Sequence, residues 1–158
     1  MPVFNGRIGG ESQDQQGNII TLQPSEAMRH VGPIMPVILT PLGASPQQSG
    51  DTALSVSGQA LIDTGAMTTC VDAEAAKQVG LAIVGSGYIN SATHADQEVP
   101  IFAGSLHIEG ASMAAEFTQA FGANLAAHQG IVALIGRDLL SRCVLVYNGP
   151  DDSFSLSI

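Results

Sequence analysis

Basic residues are scarce in this sequence of 158 residues. Lys and Arg together number 5, against 14 Asp and Glu, which gives a formal net charge of −9 at pH 7. Nucleic acids and anionic membrane surfaces attract proteins through clusters of basic side chains. The composition therefore argues against both, and we expect no nucleic acid and no membrane among the partners of this chain.

Long hydrophobic runs are also missing. The longest apolar stretches have the length of one β-strand, whereas a membrane-spanning helix needs about 20 apolar residues. Residues Met1 to Arg7 show no apolar core of the kind that secretory signal peptides carry. From these absences we expect a cytoplasmic location without a transmembrane segment.

Cysteine is rare and the histidines are dispersed. Cys70 and Cys143 both lie beside apolar residues, which favours free buried thiols, with a single disulfide as the open alternative. Two cysteines are too few for a disulfide-rich scaffold. The 4 histidines share no zinc-ligand spacing with one another or with the cysteines. We therefore expect no metal and no cofactor.

The most informative stretch is the run A-L-I-D-T-G-A at residues 60–66. Its acid, Asp63, follows two apolar residues and precedes a Thr-Gly turn. Gly65 lets the backbone pack close to the carboxylate, and Thr64 offers a hydroxyl that can tie the turn. The triplet alone is compatible with an ordinary surface turn. The apolar flanks instead favour a turn held inside the protein, where an acid is costly unless it is paired or functional.

A carboxylate of this kind can form half of an acid/base pair. Two carboxyls held about 3 Å apart cannot both ionise, so they share one proton. The charged member then takes a proton from water, while the neutral member binds a substrate carbonyl. The motif occurs once, because Asp51-Thr52 is followed by Ala53. The second acid must therefore come from a second copy of the chain, with both acids on a two-fold axis.

A second motif follows at residues 131–140, I-V-A-L-I-G-R-D-L-L. The apolar run predicts a strand, and the residues after Gly136 predict a short helical turn with Asp138 as its N-cap.

Together the two motifs resemble those of the retroviral-type (retropepsin-like) aspartic proteases, over roughly residues 34–158. The resemblance implies an all-β fold: a closed β-barrel of the acid protease type with a flap hairpin and one or two short helices. It also implies a homodimer that cuts an extended peptide or protein substrate. By the resemblance the catalytic residues are Asp63, Thr64 and Gly65, with structural support from Ala66, Gly136, Arg137 and Asp138.

The sequence departs from the family pattern at two positions. Met67 stands where viral relatives carry the acid that pairs with the Arg of the second motif. Arg137 must then bind another acid, Asp72 or Asp138, or backbone carbonyls. Ala66 stands where pepsins have Ser or Thr, so the ionised carboxylate accepts one hydrogen bond fewer. We therefore expect a mildly acidic rather than a strongly acidic optimum.

The motifs divide the chain into a polar, partly flexible N-terminal extension at residues 1–33 and a protease domain at residues 34–158. Within the extension we expect one short strand at Ile19–Leu22. Asp72 predicts the N-cap of a helix that ends before Gly80. Residues 122–130 read as a loop, and residues 144–158 predict a terminal hairpin that turns at Asn-Gly-Pro.

The flap is predicted at residues 83–109, where two strand-like runs flank a polar tip. Candidate substrate contacts on it are Tyr88, Thr93 and His94. Apolar lining of the cleft is expected from Leu61, Ile83, Val84, Ile101 and Phe102. The resemblance makes residues 154–158 candidates for the interface between chains.

The sequence thus favours a homodimeric aspartic endopeptidase. The principal alternative is a catalytically weak or inactive module of the same fold that serves dimerisation or peptide binding. An unrelated small barrel that binds a ligand is the third reading.

Overall fold

A computed structural model describes residues 1–8, 16–21, 26–46, 54–89 and 97–158, together with the backbone of residues 11–13. The strands are β1 (Val3–Arg7), β2 (Glu11–Gln13), β3 (Ile19–Thr21), β4 (Ile34–Thr40), β5 (Val56–Ile62), β6 (Cys70–Asp72), β7 (Ala82–Ile89), β8 (Gln97–Ile108), β9 (Met113–Ala123), β10 (Ala133–Ile135), β11 (Val144–Asn148) and β12 (Ser153–Ser157). The helices are α1 (Glu26–Val31), α2 (Ala73–Val79), α3 (Ala126–Gln129) and α4 (Arg137–Leu140), with a 3-10 turn at Gly149–Asp151.

Six strands form a closed barrel in the order β4-β5-β10-β6-β9-β8, and β8 returns to pair with β4. Short β10 lies parallel to β5 and antiparallel to β6, while β6 lies parallel to β9. Closure leaves these six strands without an open edge within the ring. The all-β class and the closed barrel expected from the sequence are confirmed.

The core follows from the two-residue alternation of the barrel strands. On β4 the side chains of Met35, Val37 and Leu39 point inward and are almost fully buried. Ala60 and Ile62 are the corresponding buried residues of β5. Fully burying a side chain such as Val, Leu or Met stabilises the fold by roughly 1.5–3 kcal/mol. This core fixes the face on which β5 presents its remaining residues.

The hairpin of β7 and β8 extends from the barrel. The strands pair antiparallel from Ala82 opposite Ala103 to Ile89 opposite Gln97, with a bulge between Ile83 and Gly85. The strands predicted for the flap are therefore present. Its tip, with Thr93 and His94, lies outside the described residues.

The chain termini form a second sheet, in the order β1-β12-β11. The predicted terminal hairpin of β11 and β12 is present, and β1 pairs along the other side of β12. Phe154 and Leu156 on β12 are each 2 % exposed and belong to the core of their own chain. These two side chains, expected at an interface between chains, are therefore already covered within one chain.

Helix α1 is joined to the terminal hairpin through Asp152. The carboxylate of Asp152 accepts a hydrogen bond from the Met28 N–H (3.1 Å), and its carbonyl accepts one from the Ile8 N–H (2.8 Å). Asp152 is 5 % exposed and Met28 is 1 % exposed. The N-terminal segment thus packs on the C-terminal hairpin, although its sequence predicts only the short strand found here as β3. The boundary near residue 34 stays a prediction.

Helix α2 begins and ends as its sequence predicts. Asp72 is the N-cap, and its side chain accepts a hydrogen bond from the Ala75 N–H. Gly80 ends the helix in the left-handed conformation, with a φ of 75°. Helix α3 lies where the sequence suggested only a loop.

Candidate active site

Asp63 lies immediately after β5, and its turn is fixed by backbone hydrogen bonds. The Asp63 N–H donates to the Ile135 carbonyl of β10 (3.0 Å). The carboxylate atom Oδ1 accepts from the N–H groups of Gly65 (2.8 Å) and Ala66 (3.2 Å). Within the described part of the chain, Oδ2 has no hydrogen-bond partner. One carboxylate oxygen is therefore held by the protein, and the other is left for a further partner.

The turn itself lies at the surface of the single chain. Thr64 and Gly65 are exposed, Asp63 is half-buried, and Met67 is 74 % exposed. The expectation of a turn held inside the protein is therefore wrong for one chain alone. The apolar residues before Asp63 reflect burial of the strand, which ends where the turn begins. Burial of the turn would need a second molecule.

The bracing of the acid comes from the backbone. The Thr64 hydroxyl makes no hydrogen bond with any of the described residues. Gly65 matters through its lack of a side chain, because a Cβ there would lie 3.1 Å from Asp63 Oδ1. A substitution at Gly65 would therefore crowd the carboxylate.

The strand-to-helix element of the second motif packs directly behind this turn. Strand β10 pairs with β5, with Ile135 opposite Ile62. Beyond it the Arg137 N–H donates to the Ala66 carbonyl (3.0 Å) and the Asp138 N–H to the Met67 carbonyl (3.2 Å). The two motifs, far apart in sequence, therefore form one hydrogen-bonded unit.

Gly136 is required for this contact. A Cβ at Gly136 would lie 2.6 Å from the backbone carbon of Thr68. Real Cβ atoms do not approach backbone so closely, so any larger residue would push the two segments apart. The glycine of the second motif is thus explained by packing against the loop that follows Asp63.

Asp138 binds Thr69 and is not the N-cap of α4. Gly136 occupies the N-cap position, and Asp138 lies inside the first turn of the helix. Its Oδ1 accepts from the Thr69 N–H (3.0 Å) and the Thr69 hydroxyl (2.7 Å). The predicted cap is wrong because the helix begins two residues earlier than the sequence suggested, at Arg137, which frees the carboxylate for a remote partner.

Thr69 is the functional support residue that the sequence did not reveal. Its side chain is fully buried, and its hydroxyl also accepts a hydrogen bond from the Gly136 N–H (3.1 Å). The hydroxyl thus links Gly136 to Asp138 and holds the end of the acid loop. A single Thr in an extended run gives no local signal for this role.

Neither arrangement expected for Arg137 is found. In the described ranges its guanidinium makes no ion pair or hydrogen bond, with an acid or with a carbonyl. Asp138 is occupied by Thr69, and Asp72 accepts from the backbone N–H groups of Ala75, Leu125 and Ala126. Arg137 supports the loop through its backbone, and its side chain is exposed.

Both cysteines are free and half-buried, as the sequence favoured. Burial raises the pKa of the Cys70 thiol to about 11, with smaller contributions from the negative charges of Asp138 and Asp63. Burial also raises the pKa of Cys143, against the opposing effect of Arg142. Cys70 therefore lies in the electrostatic field of the candidate acid but stays protonated and unreactive near neutral pH.

The expected lining of the cleft divides into two groups. Phe102 is fully buried and belongs to the core, so its assignment to the cleft is wrong. Ile83 and Val84 are exposed on β7, as is Tyr88, which is 62 % exposed. These β7 residues remain accessible to a ligand.

No group of three or more Asp, Glu, His or Cys side chains that could hold a metal ion is found among the residues that the structure describes. Over the same residues, no helix is long and apolar enough to cross a membrane.

By sequence, no family model and no curated protein matches the chain. Among solved structures, the chain is similar to the crystal structure of a retropepsin-like aspartic protease from Rickettsia conorii, with 15 % sequence identity and a TM-score of 0.45. The match covers 98 % of this chain and 91 % of that chain. A likeness this loose carries no argument about activity.

Proposed function

We propose that the chain is an aspartic endopeptidase of the retropepsin-like type that acts as a homodimer. Each copy supplies one Asp63, and the two carboxylates activate the water that hydrolyses a peptide bond. The observation that carries the proposal is the state of Asp63: Oδ1 is fixed by two backbone N–H groups, and Oδ2 lacks a partner in the described part of the chain.

The exposure of the turn supports a second copy as the missing partner. Thr64, Gly65 and Met67 are exposed in one chain, next to an acid that is braced from behind by the second motif. A rigid acid at an exposed, largely uncharged turn suits a symmetric contact in which two such turns meet. The motif occurs once per chain, so two copies are needed for a pair of acids.

The pair would act by general acid–base catalysis. With the two carboxyls sharing one proton, the ionised Asp63 accepts a proton from water as its oxygen attacks the peptide carbonyl carbon. The protonated Asp63 of the other copy donates to the carbonyl oxygen. The tetrahedral gem-diol intermediate then collapses with cleavage of the C–N bond. The first Asp63, now protonated, gives its proton to the leaving nitrogen, and the second, now ionised, takes a proton back from a hydroxyl of the intermediate, so that the pair again shares one proton. Gly65 and Ala66 hold Oδ1 throughout, so that little reorganisation is needed.

An extended peptide is the substrate that the architecture suits best. The outer strand of the β7–β8 hairpin, β7, pairs with β8 along one edge and has no strand along its other edge in the described part, and it carries exposed apolar residues. A strand-like peptide can bind such a site by backbone hydrogen bonds, with its side chains in alternating pockets. Tyr88 is proposed as a contact on this hairpin, and Thr93 and His94 remain proposals for its tip.

The test is digestion of a peptide library between about pH 3 and pH 7 with the wild type and with Asp63→Asn. Because Asn keeps an oxygen for the two N–H groups but cannot act as an acid or base, cleavage should fall by roughly 10²–10⁴-fold with the fold intact. The wild type should be most active at mildly acidic pH. Equal cleavage by both proteins would eliminate the proposal.

A mixing experiment tests whether the acids come from two chains. In an equal mixture of wild type and Asp63→Asn that exchanges subunits freely, only about one quarter of dimers carry two acids. Activity should therefore fall to about one quarter of that of the wild type at the same total protein concentration. If each chain had its own independent site, half of the activity would remain. Peptide binding without cleavage by the wild type would favour the alternative, a binding module of the same fold.

A further inference from the structure

A pocket beside the candidate acid is walled in part by the N-terminal helix α1. Its volume is about 440 Å³, within the range of small-ligand sites. The lining comes from three separate stretches: the end of α1 with the start of β4, the middle of β5, and the segment before β10. It includes His30, Val31, Ile34, Leu61, Gly130 and Ile131.

Leu61 connects this pocket to Asp63. Burial alternates along the end of β5, where Ala60 and Ile62 are buried while Leu61 and Asp63 are half-buried. The side chains of Leu61 and Asp63 therefore lie on the same face, roughly 7 Å apart along the strand. Ile34 pairs opposite Leu61 on β4, so the floor of the pocket continues the surface that carries the acid.

The wall formed by α1 is held firmly in place. The Gly32 N–H closes the helix on the Met28 carbonyl (2.9 Å), and the Ile62 N–H donates to the Pro33 carbonyl (3.0 Å). Gly32 has a φ of 78°, and a Cβ there would lie 2.9 Å from Leu61 Cδ1. At the other end of the helix, Met28 is bound by the buried carboxylate of Asp152. The helix end is thus fixed against the strand that presents Asp63.

We propose that the C-terminal end of α1 determines specificity by walling a pocket for one large apolar side chain of the substrate, next to the bond that is cut. Val31 and His30 form the wall, and Leu61, Ile34 and Ile131 form an apolar floor. Val31 is 41 % exposed although it belongs to this apolar surface, which leaves it available to a ligand. The proposal rests on the endopeptidase function above. It makes His30 and Val31 part of the working site, although their sequence reads as part of an extension.

The experiment changes the size of the side chain at residue 31 and measures which substrate side chain is preferred at the cut. Val31→Phe narrows the pocket and should lower kcat/KM for peptides with a large apolar residue at the cut, relative to those with Ala, by roughly tenfold or more. Val31→Ala should shift the preference the opposite way. Arg29→Phe is the matched control, because it adds the same ring to an exposed neighbour on α1 outside the pocket lining. It should leave the preference unchanged.

A binding readout separates this inference from the proposed function. A reduced-amide peptide that cannot be cut is titrated into ¹⁵N-labelled protein, and the amide signals of His30, Val31 and Leu61 should shift while that of Arg29 moves least. The inference would be overturned, and the endopeptidase left intact, if the wild type cleaves normally, all three variants prefer the same substrate side chain as the wild type, and these amide signals do not shift. Absence of cleavage, with these shifts present, would remove the endopeptidase and keep the pocket as a peptide-binding site.

Discussion

Two aspartates, Asp63 just after β5 and Asp72 at the end of β6, lie on strands that flank β10 in the same barrel. They differ in how fully their carboxylates are satisfied. Asp72 is 3 % exposed and accepts hydrogen bonds from the N–H groups of Ala75 (3.0 Å), Leu125 (3.0 Å) and Ala126 (2.8 Å). Asp63 is half-buried, and among the residues that the structure describes only its Oδ1 has hydrogen-bond partners. A carboxylate with all its oxygens engaged is a structural element. A carboxylate whose second oxygen has no partner can still bind, or exchange a proton with, another group.

The electrostatics of Asp72 agree with its structural role. Burial, the largest influence, would raise its pKa. The backbone N–H groups of Ala126, Ala75 and Leu125, with a smaller effect of the Glu74 N–H, stabilise the charged form, however, and the net result is a pKa below the ordinary value of 3.8. Asp72 is therefore charged whenever the protein is folded near neutral pH, and it organises the starts of both α2 and α3.

The largest effect on stability is expected from Asp72→Ala. The change leaves three backbone N–H groups without their acceptor. The hydrogen bonds from Ala75 and Leu125 are buried, and the one from Ala126 is partly buried. Unsatisfied buried donors cost about 1–3 kcal/mol each, and loss of an N-cap costs about 1 kcal/mol. We expect the free energy of unfolding, measured by urea denaturation, to fall by about 3 kcal/mol or more.

The comparison variant is Asp63→Ala, which removes an acceptor at an exposed turn where water can replace it. Its free energy of unfolding should fall by less than about 1 kcal/mol. Equal losses of unfolding free energy in the two variants would contradict the conclusion that the Asp72 carboxylate is structural and the Asp63 carboxylate is not.

A smaller effect is expected from Asp138→Ala, which removes the acceptor of both Thr69 donors. The free energy of unfolding should fall by about 1–3 kcal/mol. Because the loop behind Asp63 loosens, kcat should fall more than KM rises.

Thr69→Val serves as the second arm of a double-mutant cycle. The two changes together should cost less than their sum, since they break one shared contact; strict additivity would argue against a coupled unit.

What the sequence predicted depends on how local the determinant is. The N-cap of α2 and its glycine stop lie within the helix's own neighbourhood, and both are found at Asp72 and Gly80. The terminal hairpin likewise follows from one Asn-Gly-Pro turn between two alternating strands. The position of the Asp63 turn could be predicted for the same reason, because the residues that determine it are neighbours in the sequence.

What the sequence could not predict depends on distant partners. Met28 binds a residue 124 positions away, and this contact is what packs α1 on the terminal hairpin. Thr69 and Asp138 are 69 positions apart, so the local sequence offered capping as the only visible role for Asp138. The exposure of the Asp63 turn was also missed, because apolar residues before an acid report the burial of a strand and say nothing of the turn that follows.

The subtlest expected effect is the pH dependence of the Asp72 contribution. Because its pKa is lower in the folded chain than its ordinary value of 3.8, the unfolded chain binds the proton first as pH falls. The stability that Asp72 contributes is therefore complete above about pH 4–5 and is lost as pH falls through the lowered pKa. The difference in free energy of unfolding between the wild type and Asp72→Asn, measured by urea denaturation across this range, should shrink toward low pH. The other acids titrate in both proteins and cancel in the difference, so a constant gap at every pH would show that the charge of Asp72 does not stabilise the barrel.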